Sequence, residues 1–232
     1  MHCGTGSPDR DSGTRRCELI NRIAICLLIA LGTACAANAQ SAALRITFNV
    51  YNDAAVPENS LLKAEEVALR VLQRAGIEGV WINCKKAENG SGTDAACLGP
   101  MSPFHLSLRL LPRLSPDSND SLGVSFLGSD GKGVYADIFY PSVRILCADF
   151  DAAPSAVLGG VMAHELGHLM LGAHTHSPIG IMRPRWQGEE VRQIGMETLL
   201  FTPEQARKMH ARLLTASADR VTGNPSGVRR GD

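Results

Sequence analysis

The sequence predicts an α/β fold of the α+β kind, with a twisted mixed sheet, one long buried helix and a C-terminal helix. Short stretches rich in β-branched and aromatic residues, several of them alternating, indicate strands at 44–51, 80–82, 104–110 and 122–127. An apolar stripe at helical spacing indicates a helix at 57–76. Residues 155–171 are apolar on nearly every side, which indicates a second helix that is buried all round.

The ends of these two helices follow from residues that favour caps and turns. Asn59 or Ser60 is expected to cap the first helix, and Gly76 is expected to end it. Gly172 is expected to end the buried helix, because glycine accepts the left-handed conformation that often follows a last helical turn.

Two stretches show no helical pattern. Residues 134–147 are predicted to be extended, with Pro141 marking an edge or a break. Residues 173–199 are predicted to be irregular, since they combine turn-forming residues with no sustained apolar periodicity.

A last helix is predicted from a capping signal. Thr202 is the expected cap, Pro203 occupies the first helical position and Gln205 completes a capping box. The helix is predicted to end near Leu214. The polar tail at 216–232 is predicted to be disordered.

Length and charge limit the function classes. The chain has 232 residues, enough for one domain with a sizeable core and too few for two comfortable ones. Its 23 basic residues balance 23 acidic residues. A nucleic-acid-binding surface needs a basic excess on one face, so no nucleic-acid partner is expected. Nothing in the composition indicates an oligomeric state.

A secretory signal peptide is predicted at residues 1–39. Basic residues precede an apolar run at 23–31, and small residues then lead to an A-x-A cleavage signal that ends at Ala39. The run is shorter than the about 20 residues that a membrane span needs. Cleavage is favoured over an uncleaved anchor and over lipidation at Cys35. The mature chain, with its folded domain at 40–215, is then expected to be secreted or periplasmic and to keep no stable membrane span.

Export also predicts a disulfide. Cys84, Cys97 and Cys147 remain after cleavage, and an oxidising compartment favours pairing. Cys84 and Cys97 flank a polar, glycine-containing loop, so they are the expected pair. Cys147 ends an apolar stretch and is expected to be a buried free thiol.

The buried helix carries a potential metal site. His164 and His168 are four residues apart, so both imidazoles leave one face of the helix and can reach one Zn²⁺ ion. Glu165 lies beside them and can take a proton from water activated by that zinc. The alternative is a pair of hydrogen-bonded core histidines. It is disfavoured because burying two histidines and a glutamate on an apolar helix costs free energy unless a polar partner or a metal ion satisfies them.

A catalytic zinc site needs a third protein ligand and an open position. The sequence offers His174, His176 and three downstream glutamates, namely Glu189, Glu190 and Glu197. The spacing alone does not choose among them.

The segment 164–176 resembles the metzincin signature H-E-x-x-H-x-x-G-x-x-H. The expected glycine comes one residue late, at Gly172, while His174 keeps the nominal spacing of the third histidine. The run H-S-P-I-G-I-M also resembles a metzincin third ligand followed by a Met-turn. This resemblance favours His176 over His174 as the third ligand and places Met182 beneath the metal.

The order of elements adds to the resemblance. Over residues 44–214 the chain is similar to a group of small exported bacterial proteins with H-E-L-G-H ahead of H-S-x-x-G-I-M. The resemblance implies a zincin-like, metzincin-like fold and a secreted zinc metallopeptidase in which Glu165 is the general base. A peptide or protein substrate is expected to add to an edge strand, either 122–126 or the stretch after Gly133. The alternatives are a zinc hydrolase of non-peptide amides and a non-catalytic, zinc-stabilised binding module.

Overall fold

A five-stranded mixed sheet forms the centre of the fold. The computed structural model describes residues 45–85, 97–100, 102–115 and 121–222. The strands are β1 (Arg45–Asn52), β2 (Glu78–Cys84), β3 (His105–Leu111), β4 (Gly123–Phe126) and β5 (Tyr135–Phe139). The helices are α1 (Glu58–Arg74), α2 (Tyr140–Asp149), α3 (Pro154–Leu171), α4 (Gly188–Gly195) and α5 (Pro203–Thr222). The predicted signal peptide lies outside the described residues.

The strands run in the order β2-β1-β3-β5-β4. β1 is parallel to β2 and β3, and β3 is parallel to β5. β4 alone is antiparallel to its neighbour β5. Since β2 and β4 lie at the two ends of this order, they are the edge strands among the described residues. The predicted α/β fold class, with its twisted mixed sheet, buried helix and C-terminal helix, is confirmed.

Side chains of the sheet join α1 and α3 in one apolar core. The fully buried members from the strands include Ile46, Phe48, Leu108 and Ile138. Leu166 of α3 belongs to the same core. α3 is therefore buried along its length, as its apolar sequence predicted. No helix within the described ranges is both long and apolar enough to cross a membrane.

The predicted cap of α1 is wrong. The helix begins at Glu58, with Pro57 in the N-cap position, and neither Asn59 nor Ser60 caps it. The extended backbone of Pro57 (ψ 135°) ends the preceding segment, so the helix can start at the next residue. Glycine was also expected to end α3. This helix ends at Leu171, and Gly172 follows it with φ 93°.

The start of α5 is as predicted, but its end is not. Gln205 N–H donates to Thr202 Oγ1 over 3.2 Å, and Thr202 N–H donates to Gln205 Oε1 over 2.9 Å, which is a capping box. The helix continues to Thr222 rather than ending near Leu214. Residues 216–222 are thus helical and not disordered. This extension contains two alanines, which have the highest helix propensity. The remainder of the predicted tail, after Thr222, lies outside the described residues.

The predicted extended stretch at 134–147 divides into β5 and α2. Pro141 stands in the first turn of α2, where its missing N–H breaks no helical hydrogen bond. Val143 and Cys147 lie one turn apart and are both buried. Pro141 was therefore a helix-start signal rather than the mark of an edge strand.

The predicted irregular segment at 173–199 contains α4. Gln187 and Glu190 form a capping box at its start, and Val191 and Ile194 bury one face. Glutamine is not among the residues that most often cap helices, which is why the signal was missed.

The predicted disulfide joins Cys84 to Cys97. Cys147 is a buried free thiol, as expected, and burial raises its pKa to about 11. The side chains of Asn49 and Tyr51 donate hydrogen bonds to the carbonyl of Cys97 over 3.3 and 3.4 Å. These bonds hold Cys97 against β1.

Candidate metal centre

Three histidine side chains converge near the C-terminal end of α3. Nε2 of His168 lies 3.1 Å from Nε2 of His164 and 3.1 Å from Nε2 of His176. One ring nitrogen of each histidine lies within 4.8 Å of those of the other two. In the part of the chain that the structure describes, this is the one such group of three or more potential ligands. His164 and His168 are one helical turn apart, and His176 comes from the loop that follows α3.

The tautomer of His164 follows from its second ring nitrogen. Nδ1 lies 2.7 Å from the carbonyl oxygen of Ile181. A carbonyl oxygen only accepts hydrogen bonds, so Nδ1 carries the proton and donates it. In the neutral ring, Nε2 then has a free lone pair that faces the other histidines.

The tautomer of His168 follows from Thr175. The Thr175 hydroxyl donates to the carbonyl of Gly172 over 3.1 Å, and its oxygen lies 3.0 Å from Nδ1 of His168. A hydroxyl has one proton. Because that proton is used at Gly172, Thr175 accepts from Nδ1–H of His168, and Nε2 of His168 is left with its lone pair.

Burial keeps these two rings uncharged. It is the main cause that lowers the pKa of His164 to about 4, against an opposing hydrogen bond to Ile181. Burial also lowers the pKa of His168 to about 3, helped by the neighbouring His164 and His176. Neutral imidazoles are the form that binds metal ions.

The three nitrogens fit a zinc ion. Two neutral Nε2 atoms that both carry lone pairs cannot hydrogen-bond to each other, so a separation of 3.1 Å is unfavourable unless a cation lies between them. Nitrogen ligands of a tetrahedral zinc are about 3.3 Å apart, from Zn–N distances of about 2.0–2.1 Å. Each Nδ1 proton of the helical pair is held by an oxygen, which is the usual support of zinc-binding histidines.

The backbone after α3 explains why His176, and not His174, joins the pair. Gly172 and His174 both have positive φ values, 93° and 54°. These two left-handed residues turn the chain so that His174 is exposed, Thr175 is buried and His176 returns to the helix. The structure thus places His176, the third ligand that the resemblance favoured, beside the helical pair. The ligand assignment itself stays a prediction.

The three downstream glutamates lie elsewhere. Glu190 accepts from Arg183 over 2.6 Å and from the backbone of Gln187, and it is not in the histidine group. The other two are bound by arginines on the surface, Glu189 by Arg192 over 2.8 Å and Glu197 by Arg70 over 2.8 Å.

Glu165 lies against the edge strand β4. Its carboxylate accepts a hydrogen bond from Ser125 Oγ over 2.7 Å. A Cβ atom added at Gly123 would lie 2.6 Å from Oε1 of Glu165, so the glutamate contacts the strand backbone directly. Burial raises the pKa of Glu165 to about 7, and the hydrogen bond from Ser125 opposes the rise. A buried carboxyl group with a pKa near neutrality is suited to accept and release a proton.

Met182 is fully buried, and its expected place beneath a metal stays a prediction. A Cβ atom added at Gly167, between the two helical histidines, would lie 2.6 Å from Sδ of Met182. The preceding residue, Ile181, holds His164 through its carbonyl group. Trp186 adds an edge-on ring contact to His164, with the ring centroids 6.0 Å apart.

Sequence reasoning missed three contributors to the site, namely Gly123, Ser125 and Thr175. Ser125 is separated from Glu165 by 40 residues, and nothing in a local pattern connects the two. A weak signal exists at Thr175, because it lies between the two histidines that competed as third ligand. Trp186 is both buried and in contact with a histidine.

Comparisons with known proteins assign no family. No protein-family model matches the chain, and no curated protein matches it. Among solved structures, the crystal structure of archaemetzincin from Methanopyrus kandleri is similar to it, with 15% sequence identity and a TM-score of 0.48. That match covers 75% of this chain and 99% of the other. A likeness at this level carries no argument about function.

Proposed function

We propose that this chain is a zinc-dependent metallopeptidase of the metzincin type that hydrolyses peptide bonds. The observation that carries the proposal is the convergence of three histidine Nε2 atoms near the end of α3. Glu165, which follows His164 on the same helix, supplies a buried carboxylate. His164, His168 and His176 are the proposed zinc ligands, with Met182 beneath them. When bound, zinc would act as a Lewis acid and lower the pKa of water to about 7.

Glu165 is the proposed general base. Its carboxylate is buried and receives a hydrogen bond from Ser125 over 2.7 Å, so it has a fixed position before substrate binds. It takes a proton from the attacking water and passes the proton to the leaving amine.

The proposed substrate is an extended peptide that pairs with β4. Within the described residues, β4 has a partner strand on one side only. An edge strand offers backbone N–H and C=O groups that an extended peptide can use. Because Gly123 and Ser125 of this strand contact Glu165, a peptide on its free edge would lie close to the base. Of the two edges that the sequence offered, 122–126 is the one that remains. The stretch after Gly133 forms β5, which pairs with β3 and β4 on its two sides, so the prediction that it could be an edge is wrong.

The proposed location is outside the cytoplasm, secreted or periplasmic. The Cys84–Cys97 disulfide supports it, since such bonds persist in oxidising compartments. Cleavage after Ala39 is part of the same proposal.

A peptide-library digest tests the function. Zinc-loaded protein is incubated with the library, and cleavage sites are mapped by mass spectrometry. Glu165→Gln is expected to keep its zinc and to lose cleavage by about 100-fold or more, because general-base catalysis contributes that much. The matched control is Glu204→Gln, an exposed residue on α5, which is expected to cleave like the wild type.

Three results would contradict the proposal. Equal cleavage by the wild type and Glu165→Gln would exclude this glutamate as the base. Release of product only from non-peptide amides, such as cell-wall fragments, would support the amide-hydrolase alternative. A zinc-loaded wild type that cleaves nothing would support a binding module.

A further inference from the structure

We propose that Ser125 is a positioning residue for Glu165, and that β4 therefore holds both the substrate and the base. This inference rests on the proposed function. It concerns a residue of the edge strand, not one of the zinc ligands or the base.

The hydroxyl of Ser125 has two acceptors within reach, both on Glu165. Its Oγ lies 2.7 Å from the carboxylate oxygen Oε2 and 3.0 Å from the backbone carbonyl oxygen. A hydroxyl has one proton, so it donates to one acceptor at a time. The shorter distance and the stronger bond to a charged acceptor favour the carboxylate.

Gly123 is the second contact of β4 with Glu165. An added Cβ atom there would lie 2.6 Å from Oε1 and 2.8 Å from Cγ and Cδ of Glu165. Alternate residues of a strand face opposite sides. Gly123 and Ser125 face α3. Val124, which lies between them, is 39% exposed, and Phe126, which follows Ser125, is 50% exposed. On the side of β4 that faces α3, both Gly123 and Ser125 thus contact the carboxylate of Glu165.

The contacts of Gly123 and Ser125 with Glu165 lie on an edge strand, which has a consequence for catalysis. A peptide paired with β4 would bond to backbone groups along its free edge. The base is held by the side chain of Ser125 and contacts Gly123 on the same strand. The separation between the scissile bond and the base is then set within one short element. A carboxylate that loses Ser125 would keep its burial but not its orientation, so turnover should fall while peptide binding persists.

Steady-state kinetics on the full-length, zinc-loaded protein test this role. Ser125→Ala is expected to lower kcat by about 10- to 100-fold, since small misplacements of a catalytic group have effects of this order. KM and zinc content are expected to be unchanged. Ser125→Thr keeps the hydroxyl and suits a strand, so it is expected to recover most of the lost kcat.

Two further variants separate positioning from general disturbance. Ser129→Ala is the matched control, because Ser129 is exposed on the turn after the same strand. Gly123→Ala keeps Ser125 but displaces the carboxylate, so it is expected to lower kcat as well. A Ser125→Ala protein with the kcat of Ser129→Ala would overturn the proposal. So would a loss of zinc, or a rise in KM at unchanged kcat.

A thermal-unfolding cycle keeps the inference testable if the wild type proves to have no peptidase activity. The melting temperature is measured for the wild type, Ser125→Ala, Glu165→Ala and the double variant. Ser125→Ala is expected to shift the melting temperature more when Glu165 is present than when it is absent. Equal shifts in both backgrounds would show that the two side chains are not coupled, and the proposal would be wrong regardless of the function.

Discussion

The hydroxyl of Thr175 links the end of α3 to the ring of His168. It donates to the carbonyl of Gly172 over 3.1 Å and accepts from Nδ1 of His168 across 3.0 Å. The same turn that ends the helix therefore selects the tautomer of a proposed zinc ligand. It also leads directly to His176, the ligand that comes from outside the helix.

Replacing Thr175 should weaken zinc binding without removing a ligand. Thr175→Val keeps the side-chain volume and removes the acceptor for Nδ1–H of His168. Loss of such outer partners costs about 10- to 100-fold in metal affinity. Competition against a chromophoric chelator measures the change. Thr215→Val, on the exposed surface of α5, is the control and should bind zinc like the wild type. An unchanged affinity in Thr175→Val would show that the hydroxyl does not orient the ring.

Zinc content should distinguish the two candidate third ligands. His176→Ala removes a nitrogen that lies 3.1 Å from His168, so we expect it to lose stoichiometric zinc. His174→Ala removes an exposed ring outside the histidine group, so we expect it to retain zinc. Metal analysis after dialysis gives the stoichiometry of both. The reverse result would mean that the turn rearranges when the metal binds.

The helical half of the site was predictable because its chemistry is local. His164, Glu165 and His168 lie within two turns of one helix, and apolar residues around them indicate its burial. The third histidine could not be identified from local spacing, because its position depends on the positive φ values of Gly172 and His174. The sequence could favour His176 only through a resemblance.

The strand side of the site was not predictable, because its contacts span large separations in the chain. Ser125 reaches Glu165 through the placement of β4 at the sheet edge, which follows from strand order and not from any local pattern. The errors in the fold have a different origin. Pro141 and Gln187 each stand at a helix start, and both were interpreted as belonging to non-helical segments.

Gly167 should tolerate no side chain, although alanine favours helices. A Cβ atom there would lie 2.6 Å from Sδ of Met182 and 2.7 Å from the ring of Phe201. Gly167→Ala is therefore expected to destabilise the protein by about 1–3 kcal/mol, the usual cost of overpacking. Because the loop with Met182 also holds His164, zinc affinity should fall too. Urea unfolding measures the first effect.

The control for this overpacking is Gly195→Ala. An added Cβ atom at Gly195 meets nothing within 4 Å, and the residue is helical. Its replacement should leave stability unchanged or raise it by up to about 1 kcal/mol, from helix propensity alone. If both glycine variants behaved alike, close packing at Gly167 would not be the cause.

Glu65 should make stability fall as pH rises. It is buried on α1, and burial raises its pKa from 4.5 to about 7 against a hydrogen bond with Asn83. The folded state then binds more protons than the unfolded state between these values, so the free energy of unfolding decreases across that window. The decrease in the free energy of unfolding across the whole window is about 3 kcal/mol, at 1.36 kcal/mol for each pKa unit.

A comparison of Glu65→Gln with the wild type isolates this effect. The variant cannot titrate, so its stability relative to the wild type should increase between about pH 4.5 and 7 and then level off. Both proteins are measured without metal, by urea unfolding at each pH. The buried histidines have lowered pKa values and contribute the opposite slope, but they are common to both proteins and cancel in the difference. Glu66→Gln, on the exposed side of the same helix, is the matched control for the loss of a carboxylate from α1. A flat difference for Glu65→Gln would mean that this carboxyl group ionises as readily in the folded as in the unfolded chain.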